Sequence, residues 1–88
     1  MTKRTVVWDK LAENELASIW LGSGQSQSVT QASYAIDRDL TKDAERYGSP
    51  LVEGLMAIER PPLRAVFVIE PDDMLVRVLS LAIVQMKN

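Results

Sequence analysis

The sequence predicts an α+β fold, with two N-terminal helices packed on one face of a small antiparallel sheet in the order β-α-α-β-β-β. Three observations carry this. Leu63 to Val84 holds two β-branched, apolar-rich runs separated by Pro71-Asp72-Asp73, the pattern of two strands joined by a short hairpin loop. Upstream, two stretches place apolar residues at helical spacing. Finally, the chain has only 88 residues, 47% hydrophobic and 25% charged. That makes one domain, 1–88, because a second would be too small to bury its own core.

Each element has its own warrant. Thr5 to Trp8 is β-branched and aromatic, and reads as a strand. Asp9 suits the cap of the helix that follows. In Lys10 to Leu21 the set Ala12, Leu16, Ile19 and Trp20 forms a buried stripe, with Glu13, Asn14 and Ser18 on the wet side and Gly22 as the stop. Ser23 to Gln27 is a polar loop. Ser28-Val29-Thr30-Gln31 matches a capping box. The second helix then runs to Tyr47, burying Val29, Ala32, Ile36, Leu40, Ala44 and Tyr47, with Asp37, Arg38 and Asp39 among its solvated residues. Gly48-Ser49-Pro50 ends it. Leu55 to Arg60 reads as a strand closed by Pro61-Pro62, since proline cannot donate to a ladder.

A four-residue loop at Pro71 to Met74 sets the hairpin register, opposing Glu70 to Leu75 and Val68 to Arg77. Side chains then sort by period two. Leu63, Ala65, Phe67, Ile69, Val76, Val78 and Ala82 point towards the helices. Arg64, Val66, Val68, Glu70, Leu75, Arg77, Leu79 and Leu81 point away. Two arginines among aliphatics make a mixed surface that suits a binding partner and also permits a homodimer through the sheet. The plainer reading is that Arg64 and Arg77 are solvated residues paired with Glu59 or Glu70.

Composition excludes several kinds of chemistry. The chain has no cysteine and no histidine, so a disulfide framework, a thiolate zinc site, a cysteine nucleophile and an imidazole base are all absent. Asp72-Asp73 are adjacent carboxylates in a turn and point apart, so no metal is expected there. Gly22-Ser23-Gly24 lacks the lysine and spacing of a phosphate loop. No cofactor is expected. The net charge of −2 gives no overall basic surface for nucleic acid. No run is apolar enough for a membrane span and no leader is evident after Met1-Thr2-Lys3-Arg4, so the expected location is cytoplasmic. Trp8 and Trp20 are expected in the core.

Val6-Val7-Trp8-Asp9 with the Ala12–Leu16–Ile19 helix, the second helix ending at a Gly/Pro turn, and above all Leu63 to Leu81 (LRAVFVIEPDDMLVRVLSL) together resemble the RelE/ParE superfamily of bacterial toxins from type II toxin–antitoxin systems. The resemblance covers nearly the whole chain in order and length. It implies a toxin neutralised by a cognate antitoxin that wraps it. The target would be ribosome-bound mRNA in the RNA-cleaving branch, or DNA gyrase in the branch that is not nucleolytic. In the first branch Arg64 matches the arginine that opens the penultimate strand, where it would hold a phosphate during attack by the 2′-hydroxyl. Arg60 would replace the basic residues of the preceding strand, Glu59 would serve as base and Arg77 would bind phosphate. The sequence departs from that branch at Met74, where a basic residue is common, and in the tail Gln85-Met86-Lys87-Asn88, which lacks the usual tyrosine or histidine. A third reading is a degenerate relative that only binds a protein partner.

Overall fold

The computed structural model describes residues 3–84. Met1-Thr2 and the tail Gln85-Met86-Lys87-Asn88 lie outside the described residues. Strand β1 (Thr5–Trp8) leads into helices α1 (Lys10–Gly22) and α2 (Ser26–Tyr47). A two-residue strand β2 (Ser49–Pro50) precedes β3 (Met56–Arg60), β4 (Leu63–Glu70) and β5 (Leu75–Ile83). The sheet order is β1-β5-β4-β3-β2.

The α+β architecture is as expected, with two corrections. First, β1 runs parallel to β5, pairing Thr5 with Leu75 and Trp8 with Val78, so the sheet is mixed. Second, β2 is an added strand, paired antiparallel to β3. The two are linked. Each short connection reverses the chain, and β2 adds one reversal between α2 and β3. An even number of reversals then separates β1 from β5, which leaves them pointing the same way.

Apolar spacing in α2 fixes what covers the sheet. Val29, Ala32, Ile36, Leu40 and Ala44 are buried along one stripe, as the period of 3.6 requires, and Tyr47 is half-buried beside them. They meet Ile58, Leu63, Ala65, Phe67, Val76, Val78 and Leu81 on the inner sheet face. Ala12 joins the core from α1, with Leu16 and Ile19 partly buried against it.

The hairpin register holds at the loop, where Glu70 opposes Leu75 and Val68 opposes Arg77. It breaks at a bulge between Val66 and Phe67, because Phe67 faces Val78 while Val66 faces Ser80. Leu79 is the extra residue. One inserted residue inverts the alternation beyond it. Leu81 is therefore buried and Ala82 exposed, the reverse of the expectation.

The helix caps also differ. The second helix begins at Ser26 with Gln25 at its cap position, so Ser28 and Gln31 lie inside it and form no capping box. Asp9 does occupy the cap position of α1, but its side chain makes no capping bond. Trp20 is exposed rather than core, and Trp8 is half-buried at the core's margin.

The residue that follows α2, Gly48, is glycine for a steric reason. A Cβ at this position would overlap the Phe67 ring and lie 2.9 Å from the Ala44 carbonyl oxygen. Phe67 is fully buried and cannot retreat. Gly48→Ala should therefore destabilise the protein by about 1–3 kcal/mol through overpacking. Thermal or urea unfolding followed by circular dichroism reads this directly, and an unchanged midpoint would show that the ring has room to move.

Candidate functional site

The outer face of the sheet carries the residues singled out from the sequence, but not all of them. Glu59 on β3 and Arg64 on β4 stand directly opposite each other, and both are exposed. Along the same face follow Val66 and Val68, then Arg77 opposite Val68. Arg60 pairs with Leu63, whose side chain is buried in the core. It therefore projects to the helix side of the sheet, away from Glu59 and Arg64.

There Arg60 has a set of partners. Its Nε donates to Asp39 Oδ2 at 2.9 Å and its Nη1 to the Glu59 carbonyl oxygen at 2.8 Å. Its guanidinium lies 5.9 Å from the centre of the Tyr47 ring, within cation–π range. Arg38 Nε donates to the other Asp39 oxygen at 3.0 Å. Asp39 is thus not a solvated residue. It is 7% exposed, and both carboxylate oxygens are engaged. The sequence held a signal for this, since Asp39 follows Ile36 by three residues and so borders the buried stripe.

Arg77 is held as well. Its Nε donates to Glu70 Oε2 at 2.8 Å and its Nη1 to Asp9 Oδ1 at 3.0 Å. These bonds, Glu70's first and then Asp9's, raise the guanidinium above its ordinary pKa. They also explain why Asp9 leaves the α1 cap unbonded: its carboxylate turns to a charged donor instead, the stronger kind of partner.

Arg64 makes no ion pair among the described residues. It stands four residues along β4 from Val68, the partner of Arg77, a separation of about 13 Å at roughly 3.3 Å per residue. Arg77 is already engaged by Glu70 and Asp9, which leaves Arg64 as the outer-face guanidinium without an ion-pair partner among the described residues. The outer face thus offers one unengaged guanidinium, the facing Glu59 carboxylate, and half-buried Val66, Val68, Leu75 and Leu79. Among the described residues no group of three or more His, Cys, Asp or Glu side chains is arranged to hold a metal ion, and no helix is long and apolar enough to cross a membrane.

On the helix side, Asp39 supplies a pH signature. Burial alone would raise its carboxyl, but the hydrogen bonds and charges of Arg38 and Arg60 outweigh burial and hold it below the ordinary value. A carboxyl lowered on folding contributes stability above its unfolded value of about 3.9, and that contribution fades as pH falls through the lower folded value. Asp39→Asn should cost about 1–3 kcal/mol at neutral pH. The gap to wild type should close on acidification below about pH 4. Urea midpoints measured across that range test it, and a gap independent of pH would show that the carboxylate charge contributes nothing.

No protein-family model matches the chain, and no curated protein matches it. Solved structures do. The RelBE2 toxin–antitoxin complex from Mycobacterium tuberculosis superposes with a TM-score of 0.80 at 20% identity, covering 94% of this chain and 93% of that one. The chromosomal ParDE toxin–antitoxin system from P. aeruginosa gives 0.73 at 20% identity, covering 94% and 98%. The isolated E. coli RelE toxin gives 0.65 at 17% identity, covering 97% and 88%. Over nearly its whole length, the chain has the fold of the RelE and ParE toxins.

Proposed function

We propose that this protein is the toxin component of a type II toxin–antitoxin pair, held inactive by a cognate antitoxin, and that it acts by binding a macromolecular target through the outer face of its sheet. The observation that carries this reading is the fold, shared over 94% of the chain with toxins from both branches. Arg64 is the residue we assign to the target. It is exposed, unpaired among the described residues and flanked by aliphatic surface, which suits a phosphate or carboxylate set beside apolar groups.

A second reading is cleavage of ribosome-bound mRNA, favoured by the direct opposition of Glu59 and Arg64. Glu59 would take the proton from a 2′-hydroxyl as it attacks the adjacent phosphorus, while Arg64 stabilises charge on the phosphate oxygens. The departing 5′-oxygen then needs a proton donor. Arg60 lies on the other face, Arg77 is tied to two carboxylates, and the tyrosines Tyr34 and Tyr47 belong to α2. Among the described residues none of these is placed to supply it, which weighs towards binding without cleavage, a target such as DNA gyrase being the corresponding class.

Induced expression in a bacterial host should arrest growth, and co-expression of the antitoxin candidate encoded beside it should relieve the arrest. Arg64→Ala should weaken target engagement about tenfold or more, the usual effect of losing a charge-assisted bond. Ribosome-bound message should stay intact in the presence of purified protein. Cleaved message that is spared by Arg64→Ala would establish the nuclease reading instead. Absence of arrest would leave a protein that only binds a partner.

A further inference from the structure

Along α2, Ser28, Gln31, Ala35, Arg38 and Lys42 recur at intervals of three and four residues and so share one face. The first half of this face meets the turn between β3 and β4. Together they enclose a pocket of about 270 Å³, lined by Ser28, Gln31, Ala32, Ala35, Arg60 and Pro61. The second half carries Arg38 and Lys42, one turn apart. Seven residues separate Gln31 from Arg38, about 10 Å of helix. Pocket and basic residues thus form one trough on the helix side of the molecule.

The pocket has two kinds of wall. Ala32, Ala35 and Pro61 are short and stiff, and leave a smooth apolar surface. Ser28, Gln31 and Arg60 set a hydroxyl, an amide and a guanidinium around it. Arg60 donates through Nε and Nη1, so its Nη2 is unspent among the described residues. The Gln31 amide offers a donor and an acceptor side by side, the pair that reads the edge of a polar heterocycle. A planar ring satisfies both walls at once.

Beside the pocket the charge is positive. Asp39 sets one negative charge between Arg60 and Arg38, so one guanidinium of the two is surplus. Arg38 is the outer one, its side chain 70% exposed, with only its Nε engaged. Lys42 is exposed and makes no ion pair among the described residues. Past a break in the helix at Asp43, Arg46 lies 5.8 Å from the centre of the same Tyr47 ring that Arg60 approaches. The nearby carboxylates are committed elsewhere. Asp37 accepts from Trp8, Asp43 from the Arg46 backbone N–H, and Glu45 from Arg4. A chain of net charge −2 therefore keeps a cationic end on this face.

We infer that this trough is a binding site for a free nucleotide of the nucleoside diphosphate class. Its ring packs on Ala32, Ala35 and Pro61 with its edge on Gln31, and its phosphates reach Arg38 and Lys42. Arg60 Nη2 donates to the ligand between them. The 10 Å from Gln31 to Arg38 matches the reach of such a molecule from ring edge to terminal phosphate. An acidic peptide supplies the charge but no polar-edged ring. A nucleic-acid strand spreads its charge evenly, whereas only one end of this trough is cationic. The assignment rests on the trough alone and holds whether or not the protein is a toxin.

The full chain should be titrated by calorimetry with ADP, adenosine, inorganic pyrophosphate and a single-stranded oligodeoxythymidylate. ADP should bind at least tenfold more tightly than adenosine or pyrophosphate, and its binding should weaken as salt rises. Arg38→Gln combined with Lys42→Gln replaces two exposed side chains and should reduce ADP affinity about tenfold while sparing adenosine. Gln31→Ala should weaken ADP and adenosine by the same factor and leave pyrophosphate unchanged. Lys10→Gln, an equal loss of charge on α1, should leave ADP affinity as it is. Three results would each overturn the proposal: no heat of binding with millimolar ADP, pyrophosphate binding as tightly as ADP, or the oligonucleotide binding more tightly than ADP. The second reduces the site to general attraction of anions, and the third makes it a nucleic-acid surface.

Discussion

The structure depends on burying one face of a five-stranded sheet under two helices. Phe67, Val76 and Val78 are fully buried beneath Ile36 and Leu40. A chain of this size has no second layer with which to cover the other side, so every alternate residue of β3, β4 and β5 must tolerate water or a partner. That constraint places Glu59, Arg64 and Arg77 together on one surface. It also turns Arg60, one residue from Glu59, to the opposite side.

The arginines illustrate how local pairing divides similar residues into different roles. Arg60 bridges a strand to a helix through Asp39 and Tyr47, a tie that crosses the helix–sheet boundary. Arg77 joins the end of β1, the end of β4 and its own strand through Asp9 and Glu70. Both have their charge answered from within the molecule. Arg64 does not among the described residues, and its charge remains available to a partner. A guanidinium engaged by two carboxylates exchanges with an incoming phosphate only by giving up both bonds, so availability separates these residues more sharply than proximity does.

Much of this was legible beforehand, and the failures have physical causes. The stripe of α2, the strand boundaries of β4 and β5, and the loop register at Pro71 to Met74 follow from periodicity and turn chemistry, which are local. The parallel pairing of β1 depended on a strand of two residues, Ser49–Pro50, too short for any pattern to reveal. The exchange of Leu81 and Ala82 depended on one bulged residue that alternation cannot foresee. Asp9 suited a cap by type, yet an arginine 68 positions away took its carboxylate. Aspartate usually belongs in water, and only the packed structure brings Arg60 to Asp39. Tryptophan hydrophobicity suggested burial for Trp8 and Trp20, whereas the splay of the two helices leaves a gap that they line.

The bulge at Leu79 divides β5 into two segments with opposite phase. The first, Leu75 to Val78, keeps Arg77 facing Val68 and is locked between β1 and β4. The second sets Leu81 into the core and lends its backbone N–H to the Glu15 carboxylate of α1 at 3.0 Å. A change of length beyond Leu79 therefore alters the helix contact without rotating Arg77 off its face. The two halves of one strand can diversify separately, the first holding the shared scaffold and the second free to take on new contacts.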